Sequence, residues 1–382
     1  MSPGIIPMKI EILEQISDID RKQWNALISD NNPFCKHEFL AALEAHHCVG
    51  EKFGWIPRHM LVSENQQLIG AVILYEKYNN YGEFVFDHVW HNAYEKYGLN
   101  YYPKLTSAIP YTPASGPRFL AAKTDEKRVF PVLLNAIYKI CEKINASSFH
   151  CLFSNNEIDF FKEKSLFIRN DCQFHWKNQK YANFEDFLAH LKQKKRKNIR
   201  QERSKVQKSG VVIRQLDGNS ATELDWQNFS NFYNQTFLEK SGTPTLNLDF
   251  FKTIAKTMPD QVLLFLADLK GECIAGSLMF KSDTHLYGRH WGCSEQVDYL
   301  HFEACYYQGI EYAIKHKLQV FEPGAQGEHK IARGFTPTLT QSAHWIKDEA
   351  FKEPIKHFCL QEAEHVAHYI QQVNTHNPYK NS

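Results

Sequence analysis

The sequence predicts an α+β protein of two tandem units, each a mixed, largely antiparallel sheet flanked by helices. Three observations predict it. At about 100–200 residues per domain, a chain of 382 residues makes two domains. An apolar content of 43%, with 14% of the chain aromatic, supplies core for both. The third is an order of elements (strand, two helices, antiparallel meander, helix, strand) that is clear in the second half and loosely repeated in the first.

In the first half a strand at 9–13 precedes helices near 19–28 and 36–46. Strands at about 58–63 and 67–77 enclose a turn at 64–66, and 83–86 reads as a third strand. A helix at 126–144 leads to a strand at 148–153. In the second half 211–216 is a short strand. Amphipathic helices at 222–238 and 247–258 flank the loop Ser241, Gly242, Thr243, Pro244. Runs at 262–267, 273–281 and 284–291 are joined by short turns, so they pair antiparallel. Asp298 can cap a helix over 299–316, whose Phe302, Cys305, Tyr306, Gly309, Ile310 and Ala313 recur at helical spacing. Strands at 318–321 and 338–346 follow. Leu68-Ile69-Gly70-Ala71 and Cys273-Ile274-Ala275-Gly276 hold equivalent places in the two meanders. The expected organisation is a unit at 8–180, a basic helix at 181–210, and a second unit at 211–382.

Composition narrows the function. The formal net charge of +1 predicts neither bulk nucleic-acid nor membrane binding. Residues 1–7 lack the long apolar stretch of a signal peptide, and no run approaches the ~18 apolar residues of a membrane span. Nine scattered cysteines with no C-x-x-C fit reduced, buried thiols in a cytoplasmic protein. Metal binding is not expected. His37-Glu38 does not begin H-E-x-x-H, because Ala41 stands where the second His should be, and no His and Cys cluster at ligand spacing.

Two polar constellations stand out. The segment F-E-P-G-A-Q-G-E-H-K-I-A-R-G-F (321–335) follows directly on an apolar strand. It places Glu322, Gln326, Glu328, His329, Lys330 and Arg333 within twelve residues, with Gly324 and Gly327 allowing a sharp turn or a close approach to a ligand. Sites on α/β sheets sit at such strand ends; a solvated loop is the alternative. It is not a nucleotide-binding Walker loop, because the glycines are too close and Ile331 follows the lysine. The second constellation is 192–208, with nine Lys or Arg and one acid, Glu202. On a helix, Phe184, Leu188, Leu191, Ile199 and Val206 share a face, and Lys192, Arg196, Arg200 and Arg203 form a stripe beside it. Such a stripe can hold phosphates; a solvated linking helix is the alternative. A third, aromatic stretch contains Asp87, Trp90, Tyr94, Tyr101, Tyr102 and Lys104, which can line a substrate groove or pack as core.

The strings N-P-F-C-K-H-E-F-L-A-A-L-E (32–44), Y-G-E-F-V-F-D (81–87), Y-Y-P-K-L (101–105) and Y-L-H-F-E-A-C-Y-Y-Q-G-I-E-Y (299–312), with the 321–335 loop, resemble the FemAB-like peptidoglycan biosynthesis/recognition family. Its element order resembles the GNAT acyltransferase fold, here as two tandem units. The resemblance implies transfer of an acyl or aminoacyl group to an amine of a small-molecule or peptide substrate, related to a peptidoglycan precursor. The implied donor is aminoacyl-tRNA, so tRNA is a partner, or else acyl-CoA. A non-catalytic ligand-recognition module is a further alternative. Glu322, Glu328 or His329 would then supply a base, and Lys330 and Arg333 would stabilise an oxyanion. Gln326, Arg196, Arg200, Arg203, Tyr101, Tyr102 and Lys104 would bind substrate. Arg289 and Trp291, two apart on one strand, would lie where the acyl group sits. The junction W-G-C-S-E-Q-V-D-Y-L (291–300) lacks the glycine-rich pyrophosphate turn of acetyl-CoA enzymes, which weighs against CoA.

Overall fold

The computed structural model describes residues 8–325 and 327–380. The strands are β1 (Lys9–Ile12), β2 (Trp55–Pro57), β3 (Met60–Glu64), β4 (Gln67–Val72), β5 (Tyr75–Lys77), β6 (Lys104–Ser107), β7 (Phe119–Ala121), β8 (Ser148–Ser154), β9 (Phe167–Lys177), β10 (Val212–Asp217), β11 (Val262–Leu269), β12 (Glu272–Lys281), β13 (His285–Cys293), β14 (Val320–Glu322) and β15 (Thr336–Ile346). The helices are α1 (Arg21–Asn25), α2 (His37–Ala45), α3 (His88–Lys96), α4 (Glu126–Lys143), α5 (Ile158–Glu163), α6 (Phe184–His190), α7 (Gln193–Lys208), α8 (Glu223–Glu239), α9 (Leu248–Thr257), α10 (Leu300–Phe302), α11 (Gln308–Lys315) and α12 (Glu349–Asn374).

Packing divides the chain into two units. The first is Met1–Asp171 with Leu339–Ala367, and the second is Cys172–Thr338 with His368–Ser382. The expected organisation had placed everything after 211 in the second unit; here 339–367 packs with the first. In the first unit, strands run in the orders β1-β3-β4-β7 and β15-β8-β6-β5-β2. One core lies under α4, where Val129, Leu133 and Ile137 pack on Val62, Val72 and Phe149. In the second unit the order is β10-β11-β12-β13-β14-β9. Phe265, Met279, Tyr307, Ile310 and Phe321 form its centre. Each unit contains a parallel pair: β6 beside β8, with Thr106 opposite His150, and β13 beside β14, with Leu286 opposite Phe321. The antiparallel meander β11-β12-β13 agrees with its short turns.

Four expectations need correction. Residues 83–86 are not a strand: Phe84 has φ 61, which breaks an extended run, and the next strand is Lys104–Ser107. The basic segment is two helices, because Leu191 and Lys192 are extended between α6 and α7. Asp298 does not cap the next helix; its N-cap is Tyr299, at φ 66 and without a side-chain cap bond. Finally, α10 enters α11 through a π-helical turn, Glu303–Tyr307. The sequence pattern marks no element at α3, β6, β7, α5 or β9, nor after 346. β9 alternates too little and is too polar to read as a strand, yet Lys177 and Trp176 pair with Val320 and Phe321.

Candidate functional site

In the second unit, β13 and β14 pair in parallel from His285 to Tyr287. β14 then ends at Glu322, because Pro323 lacks a backbone donor and Gly324 takes φ +96, while β13 runs on to Cys293. The two strands therefore part at Tyr287 and Glu322. A Cβ on Gly288 would meet Pro323 Cα at 3.2 Å, a tight contact that favours glycine at the fork. On its other edge β13 carries a bulge: Leu278 pairs with His290 and Met279 with Gly288, leaving Arg289 as the extra residue. A bulge re-aims the side chain it carries. Simple alternation through Arg289 and Trp291 is broken there.

Charges gather at this fork. Arg289 is half-buried; burial lowers it to about 10, with Tyr233 and Glu322 pulling the other way. Glu322 is buried, 3.9 Å from Nε2 of His175. Burial, aided by His285 and Lys330, takes His175 down to about 3, so it is neutral at any physiological pH. Lys330 lies in a 3-10 turn, Glu328–Arg333, and is only 2% exposed. Its Nζ donates to the Gly324 carbonyl at 2.7 Å. Burial, slightly offset by Cys305, brings it down to about 8. Cys305 is no nucleophile, because burial pushes its thiol up to about 12.

The other loop residues have different tasks. Arg333 donates to the His329 carbonyl and to Glu202 Oε1, both at 2.8 Å, and its guanidinium lies 3.4 Å from the Phe302 ring centre. Tyr307 also donates to Glu202. Arg333 thereby ties the loop to α7 and to the π turn. His329 Nε2 meets the Tyr306 hydroxyl at 2.8 Å, and burial lowers it. Glu328 accepts from the Tyr369 hydroxyl at 2.7 Å at the surface. Gln326 lies outside the described residues. Thus Glu322 acts on Arg289 at the fork and stands beside His175, Lys330 holds the Gly324 carbonyl just beyond it, and Arg333 and His329 brace the turn. Sequence reasoning missed His175, Tyr233 and the π turn. An extra residue in a helix leaves no mark in apolar spacing, although π turns recur at functional sites.

On α7 the basic stripe is partly neutralised. Arg203 makes paired bonds to Glu303 at 3.1 and 2.9 Å and a third to Glu311 at 2.8 Å. Arg200 pairs with Glu185 at the surface. Both line a cavity of 440 Å³ with Phe184, Gln207 and Glu303. Trp291 lies outside it, 5.4 Å from the His301 ring. Lys194, Lys197, Lys205 and Lys208 are exposed. Exposed basic side chains bind phosphates through charge with little effect on folding. Reversing Arg196 and Arg200 to Glu is expected to abolish binding of a phosphorylated ligand or RNA in a filter or calorimetric assay, with the melting temperature unchanged. Unaltered binding overturns the phosphate role.

The first unit holds a separate buried network. Lys104 is fully buried and bonds Glu83 Oε2 at 2.8 Å and also Asp87. Burial alone would lower Lys104, but the two carboxylates outweigh it and hold it above the lysine range. Tyr101 donates to Asp87 Oδ2 at 2.6 Å. Tyr101 and Lys104 are thus enclosed rather than lining an open groove, and Tyr102 is half-buried against His91.

Hydrogen-bond bookkeeping fixes the adjoining imidazoles. Ser147 gives its hydrogen to the Tyr101 carbonyl, so Ser148 donates to Ser147 and accepts from His150 Nε2 at 2.8 Å. Burial holds both His150 and His344 well below the usual histidine range, so both are neutral. His150 Nδ1 must accept from His344 Nδ1, 2.5 Å away. His344 Nε2 is then a buried lone pair, without a partner among the described residues. Because the unfolded chain takes up these protons below pH ~6.5 and the folded chain does not, stability should fall as pH drops below that point. A melting-temperature series from pH 7.5 to 5 should slope downward, and His344→Gln should flatten it; an equal slope in the variant refutes the assignment.

Among the described residues no group of three or more His, Cys, Asp or Glu is placed to hold a metal, and no helix is long and apolar enough to cross a membrane. A family model described as FemAB-like, peptidoglycan biosynthesis/recognition, matches residues 15–381. No curated protein matches the chain. Among solved structures, FemX is similar with a TM-score of 0.54 at 11% identity, covering 88% of this chain and 98% of that one. The C-terminal domain (DUF2156) of a protein assigned as a lysylphosphatidylglycerol synthetase from Agrobacterium fabrum gives 0.53 at 10%, covering 92% and 97%. A conserved protein of unknown function from Bacteroides thetaiotaomicron gives 0.53 at 10%, covering 89% and 100%. At these identities the likeness is one of fold, and it agrees with the expected α+β class.

Proposed function

We propose that this chain, which belongs to the FemAB-like family, transfers an aminoacyl group to an amine at the β13/β14 fork of the second unit. The observation that carries the reading is Lys330, buried at the fork with its ammonium brought down to about 8. Near neutral pH part of it is free base. It takes a proton from the attacking amine, and the tetrahedral intermediate forms as the nitrogen adds to the acyl carbonyl. Arg289, held in a low-dielectric setting by burial, stabilises the oxyanion. Collapse expels the donor's oxygen or sulfur, with the proton returned from Lys330. Attack is direct, because Cys305 is not ionised.

Aminoacyl-tRNA is the favoured donor. The exposed lysines of α7 suit a polyphosphate backbone, and the 291–300 junction lacks the glycine-rich turn that would cradle a pyrophosphate. The names of the FemX and lysylphosphatidylglycerol synthetase neighbours agree with such chemistry. The test incubates the chain with charged tRNAs, acyl-CoAs and amine-bearing muropeptides or lipids, with products read by mass spectrometry. Transfer from tRNA supports the proposal. Transfer from acyl-CoA alone replaces the donor, and ligand binding without turnover on any pair overturns catalysis.

A further inference from the structure

The first unit contains a cavity of 340 Å³ that acyl transfer at the fork does not use. That is within the range of small-ligand sites. Its rim is apolar and open: Phe84 is 39% and Phe86 62% exposed. Phe153 lies deeper and is buried. Two of these aromatics sit on left-handed backbone, Phe84 at φ 61 and Phe153 at φ 51. A bulky residue rarely adopts that conformation, and such strain gathers at ligand sites. The turn at Phe153 is a bulge in β8. Between Gln341 and Ala343 β15 advances two residues, while β8 advances three, from Ser154 to Cys151. The Phe153 amide is satisfied by Ser342 Oγ at 3.0 Å.

The floor is one face of β15. Thr340 and Ser342 line the cavity, and the alternation of a strand carries the same face on to His344. Thr340 is 4% exposed, yet its hydroxyl has no hydrogen-bond partner among the described residues. Leaving a buried hydroxyl unmatched is costly, so an unmatched one on a residue that lines a ligand-sized cavity points to a ligand group. Beside the floor, three more buried polar atoms are unmatched among the described residues: His344 Nε2, Asp87 Oδ1 and Trp90 Nε1. Two of these three can only accept.

The wall is charged. Arg169 is clamped by Glu362 at 2.8 and 2.6 Å and bonds the Phe86 carbonyl at 2.9 Å. It is stacked 5.0 Å over Trp90, so its charge is spent on holding the rim in place. The lining carries one cation, Arg169, and two carboxylates, Glu362 and Asp171. Net negative charge and aromatic faces together suit a cationic donor and repel a phosphate or carboxylate.

We infer that this cavity binds a primary amine carried on an apolar body, the ammonium bonding Thr340 and facing the carboxylates while the body lies on Phe84 and Phe86. The inference does not depend on the acyl-transfer reading. The test titrates the full chain at pH 7.5 with hexylamine, hexanol and hexanoate, by calorimetry or ligand-observed NMR. Hexylamine is expected to bind saturably, and at least about tenfold more tightly than the other two. Thr340→Val preserves shape, removes the unmatched hydroxyl, and should weaken hexylamine several-fold with the melting temperature unchanged or raised. A merely structural hydroxyl would instead leave binding alone. Asp171→Asn, at an exposed position, should also weaken it. No saturable hexylamine binding, hexanoate binding as tightly as hexylamine, or wild-type affinity in both variants each overturns the inference.

Discussion

Lys104→Met should destabilise the protein by about 3–5 kcal/mol, the usual cost of leaving buried charge without its partner. Lys104 stands between Glu83 and Asp87, and all three are buried. Methionine has nearly the same volume, so the loss comes from two carboxylates stranded in a low dielectric rather than from a cavity. Burial raises Asp87, and the Lys104 ammonium with the Tyr101 hydroxyl outweighs it and holds it below the usual carboxylate range. Without Lys104 that balance reverses and the carboxyls take up protons. The destabilisation should therefore be larger at pH 8 than at pH 5, as read by urea denaturation at both. Adding Glu83→Gln and Asp87→Asn to Lys104→Met should recover much of the loss. A single variant as stable as the wild type would show that the network contributes little.

Lys330→Met should cut transfer by about 10²–10⁴-fold, the usual contribution of a positioned base, while changing stability by no more than ~1–2 kcal/mol. Methionine removes the cost of burying an ammonium but leaves the Gly324 carbonyl without its donor. The pH dependence separates a base from a structural lysine. Free-base Lys330 accumulates as pH rises through about 8, so kcat/KM should climb across that point in the wild type and lose the climb in the variant. Stability has its own sign. The unfolded lysine titrates near 10.4, so between about 8 and that value the unfolded chain holds more protons and stability rises with pH. A Lys330→Met protein that keeps both its rate and its ascending limb would remove Lys330 from the mechanism.

Periodicity made much of the second unit legible. α8, α9 and the β11-β12-β13 meander fall within a few residues of their expected places, because local apolar spacing and short turns determine them. The polar loop after β14 was legible as a cluster, whereas Glu322 meeting Arg289 at the fork and Lys330 reaching back to the Gly324 carbonyl depend on the fold. The same spacing failed at Phe84, where a left-handed residue replaces the expected strand, and at Arg203, whose positive charge is taken up by Glu303 and Glu311 a hundred residues away.

The sequence by itself determined the α+β class, the presence of two units, the family resemblance and the stock of charged groups available for chemistry. Those depend on patterns that hold within ten or twenty residues. Only the tertiary structure decided which charges are spent and which are poised. Lys104 and Lys330 are both buried lysines, but one is surrounded by carboxylates and driven up, while the other has mainly a carbonyl and burial and is brought down. That difference arises from partners brought together across the chain, which no local pattern encodes.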